Sequence, residues 1–308
     1  MSERSIDVGA LYAQYAPLVM RRVLRFVPQS EAEEVVLAPD ASFAFVRQFG
    51  ADEVLVVDLL AHTVEPVPVG HNPTDLDLSP GGTEAVVVSR DDRQLWVLDT
   101  ADPYLPPKVL DLPDELFLGS LLFDPTGDQA VIYTTAGLTD RFVTWDLATD
   151  ELRTRALIKP VTGMAITPTG DSMLAFHTEQ DAPGADPSPF TGSWALSIFS
   201  LDDFRSNPLK LPAEPIGYAN SNDGRRGYFI MEDQPYLEVL DYVTLLPDEI
   251  ELKSNPVYVG VLPPLDDTSD EPPAWVSQDY SLGRISFYEP ETETLETITG
   301  FELNSAIE

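Results

Sequence analysis

The feature that most constrains the fold is a turn motif that recurs at nearly constant spacing. Each copy joins two apolar segments, as in "LSPGGTEAVVV" around Pro80 and "FDPTGDQAVIY" around Pro125. The copies are centred on Pro39, Pro80, Pro125, Pro168, Asn222 and Pro264, at intervals of 41, 45, 43, 54 and 42 residues. A repeat of about 40–45 residues, with room for four strands, is typical of the blades of a β-propeller.

A second marker recurs in step with the first. The segment expected to form the third strand of each repeat ends in an acidic residue. These residues are Asp58, Asp99, Asp146, Asp202, Asp241 and Glu289. A carboxylate that leaves a strand can accept N–H bonds from the next turn, which predicts a hairpin to a fourth strand. The two markers together predict six four-stranded antiparallel sheets.

A family resemblance supports this prediction. Residues 69–100, "VGHNPTDLDLSPGGTEAVVVSRDDRQLWVLDT", resemble the YVTN/WD40-like repeat in their G-x-x-P, S-P-x-G and V-x-D positions. The resemblance extends over residues 34–300 and implies an all-β propeller with six recognisable blades. A seventh, partial blade is the alternative if residues 299–308 begin another repeat. The resemblance also implies a periplasmic or cell-surface location.

The start of the chain has a different pattern. Apolar residues at helical spacing predict a short amphipathic α-helical segment over residues 1–33, before a propeller domain over residues 34–308. Ser30 and Glu33 have the spacing of a helix capping box, although "EVVL" at 34–37 has the composition of a strand. Residues 7–36 resemble the start of region 2 of extracytoplasmic-function sigma factors. That resemblance implies a cytoplasmic, transcription-related alternative, and the opening residues lack the pattern of a signal peptide.

Composition excludes several classes of function. The chain has 18 basic and 52 acidic residues, a formal net charge of −34, and no cysteine. Such a charge disfavours nucleic acid as a partner of the propeller, because phosphate would be repelled. The absence of cysteine excludes disulfides, thiolate zinc sites and a cysteine nucleophile. No apolar stretch approaches the length of a membrane helix, no motif predicts a cofactor or a metal site, and we expect a monomer.

Candidate ligand-binding residues fall on one face of the predicted propeller. Loops between blades and loops between second and third strands share that face, where function usually lies in rigid repeat folds. The candidates are His71, Asp91, Asp92, Arg93, Asp140, Arg141, His177 and Tyr236. Trp96, Trp145 and Trp275 lie in strand patterns and are expected to pack between blades. The acidic segment 263–274 has no calcium-loop spacing and is expected to be a solvated loop.

Three functions are compatible with these observations. The leading hypothesis is a non-enzymatic binding or scaffold module that engages a protein or a small ligand through the loop face. The first alternative is a hydrolase similar to the lactonase group of propellers, using His71, His177 and loop carboxylates. The second alternative is a role in transcription, based on the sigma-like segment. The sequence contains no catalytic constellation, which favours binding.

Overall fold

The structure, a computed structural model, describes residues 32–48, 50–113, 116–263 and 271–300. Every regular element in these residues is a β-strand, and the strands form six antiparallel sheets of four consecutive strands. The predicted all-β architecture and the number of strands in each repeat are therefore confirmed. Within the same residues, no helix has the length and apolar character needed to cross a membrane.

The first three sheets use strands β1 to β12. Sheet 1 contains β1 (Ala32–Leu37), β2 (Phe43–Gln48), β3 (Glu53–Asp58) and β4 (Thr63–Pro68). Sheet 2 contains β5 (Pro73–Leu78), β6 (Glu84–Ser89), β7 (Gln94–Asp99) and β8 (Lys108–Asp111). Sheet 3 contains β9 (Ser120–Phe123), β10 (Gln129–Tyr133), β11 (Arg141–Asp146) and β12 (Glu151–Ala156).

The last three sheets use strands β13 to β24. Sheet 4 contains β13 (Val161–Ile166), β14 (Ser172–His177), β15 (Ala195–Ser200) and β16 (Ser206–Lys210). Sheet 5 contains β17 (Pro215–Asn220), β18 (Arg226–Met231), β19 (Tyr236–Asp241) and β20 (Pro247–Glu251). Sheet 6 contains β21 (Pro256–Val261), β22 (Ala274–Gln278), β23 (Arg284–Glu289) and β24 (Thr294–Thr299). A seventh sheet from residues 299–308 would lie almost entirely outside the described residues.

The described chain divides into two compact units. Unit 1 comprises the described residues up to 136 together with 141–156, and it contains sheets 1 to 3. Unit 2 comprises residues 137–140 and those from 157 onward, and it contains sheets 4 to 6. In both units the core lies between neighbouring sheets. In unit 1, for example, the fully buried Trp145 of sheet 3 belongs to one apolar cluster with Val86 and Leu95 of sheet 2, as predicted for packing between blades.

Strand β1 begins at Ala32, two residues before the predicted boundary. The capping box predicted for Ser30 and Glu33 is not formed as a helix at Glu33, because Glu33 belongs to this strand. Its carboxylate pairs with Arg47 on β2, and Arg47 Nε also donates to Glu34 at 2.9 Å. The rest of the predicted helical segment, residues 1–31, lies outside the described residues.

The two sequence markers have clear structural roles. Asp58 Oδ1 accepts bonds from the backbone N–H groups of Leu60 and Ala61, at 2.8 and 2.6 Å. The carboxylates that end β7, β11 and β19 accept the same pair of bonds. The motif glycines connect neighbouring sheets: Gly82 has φ of 65°, and a Cβ at this position would overlap Pro39 of the preceding motif. The repeated turns are therefore also packing contacts between sheets.

Most first strands contain a β-bulge after their first residue. In sheet 4, Val161 pairs with His177 and Gly163 pairs with Phe176, so Thr162 has no opposite residue. Five sheets share this feature, and the bulged residues are Glu33, Thr74, Thr162, Ile216 and Val257. A bulge changes the direction of a strand and of its side chains, and bulges are frequent beside functional sites.

Candidate functional site

Within each sheet, the loop between the second and third strands lies at the same end as the start of the first strand. His71, in the loop before β5, therefore lies beside the loop between β6 and β7. Its Nδ1 atom is 3.0 Å from Asp92 Oδ1, and its backbone N–H donates to Asp92 Oδ2 at 2.7 Å. Asn72 Nδ2 donates to Asp91 Oδ1 at 3.1 Å. The structure thus brings three predicted residues, His71, Asp91 and Asp92, into one loop cluster.

The electrostatics of this cluster are those of an exposed ion pair. The hydrogen bond to Asp92 raises the pKa of His71, and the bonds from His71 lower the pKa of Asp92. The His71 side chain is 68% exposed, so solvent screens the pair. Gly70 allows the contact, because a Cβ there would lie 2.6 Å from Asp92 Oδ2. No group of three potential metal ligands occurs among the described residues. We interpret the cluster as a set of hydrogen bonds that holds the two loops together.

The other predicted residues of unit 1 point to different neighbours. The guanidinium carbon of Arg93 lies 5.5 Å from the centre of the Phe117 ring, a cation–π contact. Arg141 is the exposed first residue of β11, opposite Ala156.

Two predicted residues of unit 2 have local roles. The carbonyl of Asp140 accepts the backbone N–H of Leu157 at 2.7 Å. Tyr236 begins β19 opposite Glu251, and burial raises the pKa of its hydroxyl. Neither arrangement identifies a ligand.

The structure corrects the prediction that His177 reaches the loop surface. His177 ends β14 with no exposed surface. Its Nδ1 is 2.8 Å from the carbonyl oxygen of Lys159, and its Nε2 is 2.8 Å from Ser197 Oγ. Desolvation lowers its pKa to about 4, so the ring is neutral near pH 7. The sequence could not show this, because His177 follows an apolar strand and precedes a long polar insertion.

Lys159 explains why His177 is covered. The Lys159 side chain is 1% exposed and points into the insertion between β14 and β15. Its Nζ atom donates to the carbonyl oxygens of Glu179, Phe190 and Ser193, at 2.8, 3.0 and 2.7 Å. Asp181 Oδ1 lies 3.2 Å from the same nitrogen. This buried ammonium group therefore folds the insertion onto the end of sheet 4.

Unit 2 contains a pocket that sequence analysis did not predict. It has a volume of about 350 Å³ and lies among the first strands of sheets 4, 5 and 6. The residues that line it are Thr162, Gly163, Phe176, Pro215, Ile216, Gly217, Tyr218, Tyr258 and Val259. Bulged residues and their neighbours supply much of this lining, at the same end of the sheets as the predicted loop face. The composition is apolar and aromatic, which is typical of small-molecule sites.

Aromatic rings and a glycine shape this pocket. Phe176 and Tyr218 have ring centroids 4.8 Å apart, and Tyr258 stacks on Trp275 at 5.4 Å with an angle of 23°. Tyr218 is 42% exposed and Tyr258 is 61% exposed, so both rings are open to a ligand. A Cβ added to Gly163 would meet no atom within 4 Å, which shows that the missing side chain leaves usable space.

A second group that sequence analysis missed lies on β5 in unit 1. Desolvation raises the pKa of Asp75 to about 6 and that of Asp77 to about 7. Asp75 Oδ2 accepts the backbone N–H of Leu121 on β9 at 2.5 Å, whereas no hydrogen bond lowers the pKa of Asp77. The spacing of the two residues in "PTDLDL" puts both on one side of the strand. The pattern does not show that this side is partly buried.

Comparisons with known proteins address the fold. No protein-family model matches the chain, and a search of curated proteins finds no match. The solved structure of dihydro-heme d1 dehydrogenase NirN in complex with DHE is similar, with a TM-score of 0.60 and 16% identity. The similarity covers 88% of this chain and 57% of that one, and the matching architecture is a propeller. The chain has a β-propeller fold.

A second solved structure has a weaker similarity. Hydrazine synthase from Kuenenia stuttgartiensis matches with a TM-score of 0.43 and 13% identity, over 89% of this chain and 96% of that one. A match at this level carries no argument about this propeller. The similarity to NirN, at 16% identity, concerns the fold alone.

Proposed function

We propose that this propeller is a non-enzymatic binding protein that holds a small apolar or aromatic ligand in the pocket of unit 2. The main support is an open cavity of about 350 Å³ that is lined by the exposed rings of Tyr218 and Tyr258. The described residues that line it include no carboxylate, imidazole or amine. Such a lining supplies mainly contact area and shape, and its ionisable groups are the hydroxyls of the two tyrosines.

The earlier alternatives receive less support. The lactonase-like mechanism required His71 and His177 as accessible groups, but His177 is buried and bonded at both ring nitrogens. The transcription-related hypothesis depended on residues 7–36, of which only 32–36 are described, as part of a strand. The YVTN/WD40-like resemblance is compatible with binding, since such repeats commonly present rigid surfaces to ligands.

A substitution that fills the pocket tests the proposal. Gly163→Leu adds a side chain in open space beside the pocket, so the sheet should be retained while the volume is reduced. Gly137→Leu is the matched control, because Gly137 also faces open space but does not line the pocket. We expect aromatic fragments that bind the wild type in ligand-observed NMR to lose at least about tenfold in affinity in Gly163→Leu only. If the fragments bind all three proteins equally, or if none binds the wild type, the proposal is wrong.

A further inference from the structure

We propose that the pocket of unit 2 selects an organic cation, an alkylammonium group on a compact apolar body, an inference that depends on the proposed binding function. The aromatic rings favour this class. Trp275 covers one face of Tyr258, and the 61% exposure of Tyr258 leaves its other face open. The negative face of an aromatic ring attracts a cation, most strongly when the cation is weakly hydrated.

The second aromatic pair adds a wall of the same chemistry. Phe176 is 6% exposed and lies 4.8 Å from Tyr218, with an angle of 38° between the rings. Tyr218 and Tyr258 come from neighbouring sheets, and both line the same cavity. An alkylammonium group in this cavity would contact ring carbons and tyrosine oxygens, all of which have partial negative charge.

The charge near the pocket disfavours an anion. Glu214 directly precedes β17, whose first four residues line the pocket, and the backbone N–H of Glu232 donates to the carbonyl of Glu214 at 2.8 Å. Asp233, in the same loop as Glu232, accepts a bond from Asn255 at 3.3 Å. Three acidic residues therefore lie in the loops beside the pocket, in a chain of net charge −34. A cation would enter this field favourably, and an anion would not.

The lining offers no competing ion pair. None of the described lining residues is charged, so a bound cation would be recognised by aromatic faces and not by a carboxylate inside the pocket. The same unit contains an internal example of this contact: the guanidinium carbon of Arg284 lies 3.9 Å from the centre of the Tyr280 ring. Tyr280 does not line the pocket, which makes it a suitable control residue.

Three probes of nearly equal shape separate charge from size. Choline is cationic, 3,3-dimethylbutan-1-ol is its neutral carbon isostere, and 3,3-dimethylbutanoate is anionic. Each is titrated into the whole protein and followed by NMR, at low salt and at 0.5 M NaCl. We expect choline to bind about tenfold more tightly than the alcohol, with the butanoate weakest. This preference should persist at high salt, because contacts with rings are screened less than surface charges are.

Variants locate the preference. Tyr218→Leu and Tyr258→Leu should each reduce the choline preference at least about threefold, whereas Tyr280→Leu should not. Gly163→Leu should weaken the binding of choline and of the alcohol together. Equal binding of choline and the alcohol, both lost in Gly163→Leu, would overturn the inference but leave the binding function intact. Choline binding that is absent, unchanged in Gly163→Leu, or preferred only at low salt would also overturn the inference. The aromatic-fragment experiment judges the binding function separately.

Discussion

The buried ammonium group of Lys159 should contribute strongly to the stability of unit 2. Replacing it with Met keeps the apolar stem but removes an ammonium group that contacts three carbonyl oxygens and Asp181. Each hydrogen bond from a charged group contributes about 1.5–3 kcal/mol to stability. Water can reach the released carbonyls once the insertion opens, so the losses will not add fully. We expect Lys159→Met to lower the free energy of unfolding by about 3–5 kcal/mol, the range for breaking a buried charged pair.

The loss should be local before it is global. We expect proteases to cut within residues 180–193 of Lys159→Met under conditions where the wild type resists, while far-UV circular dichroism shows the strands retained. Urea unfolding measures the change in stability. Lys210→Met is the control, because Lys210 is an exposed lysine on β16 of the same sheet. A Lys159→Met protein with wild-type protease resistance and stability within about 1 kcal/mol of Lys210→Met would refute the reasoning.

Three further predictions concern other parts of the fold. Gly82→Ala should lower the free energy of unfolding by about 2 kcal/mol or more, because φ is 65° and the added carbon overlaps Pro39. Gly81→Ala, whose Cβ would have its nearest neighbour at 4.0 Å, should be nearly neutral in the same urea titration. Asp77 has a pKa of about 7 in the folded protein, above its ordinary value of 3.8, because the folded state favours the protonated carboxyl. Its contribution to the free energy of unfolding is therefore fully present below about pH 4 and is lost as the pH rises through 7. Asp77→Asn should therefore stabilise the protein by about 1–3 kcal/mol at pH 8 and little at pH 4, and equal effects at both values would contradict this. Glu271→Gln should lower the free energy of unfolding by about 2–4 kcal/mol, because it weakens the bonds of Glu271 to the Tyr228 hydroxyl, at 2.8 Å, and to Arg226. An unchanged urea midpoint would exclude this role.

The regular part of the fold could be predicted because its causes are local. The carboxylate of Asp58 bonds to residues two and three positions later, so the turn is visible in a few letters of sequence. The contact between Gly82 and Pro39 spans 43 residues, but it could also be anticipated because both residues belong to successive copies of one motif. The start of β1 was harder to place, because Glu33 has a partner, Arg47, that only strand pairing provides.

The pocket could not be predicted because its causes are distant in sequence. Gly163 has an ordinary strand position, and only the neighbouring sheets show that the space above it is empty. Tyr218 and Tyr258 are 40 residues apart, and nothing in either repeat indicates that they line one cavity. Burial was equally hidden for His177, whose cover depends on Lys159 and the insertion. Sequence analysis placed His71 and Asp92 on one loop face because chain topology alone brings those two loops together, but their direct contact is seen only in the structure.

The bulge after the first residue of the first strand has a consequence for how this protein can change. A bulged residue has no opposite residue in the hydrogen-bonded ladder, so it forms no paired position of the strand register. In unit 2 these positions hold Thr162, Ile216 and Val257, and the first two line the pocket. The bulges thus bring residues without a ladder partner to the pocket in which we propose that a ligand binds. A combinatorial library at Thr162 and Ile216 would therefore change the lining of this pocket while leaving the paired strand positions unchanged.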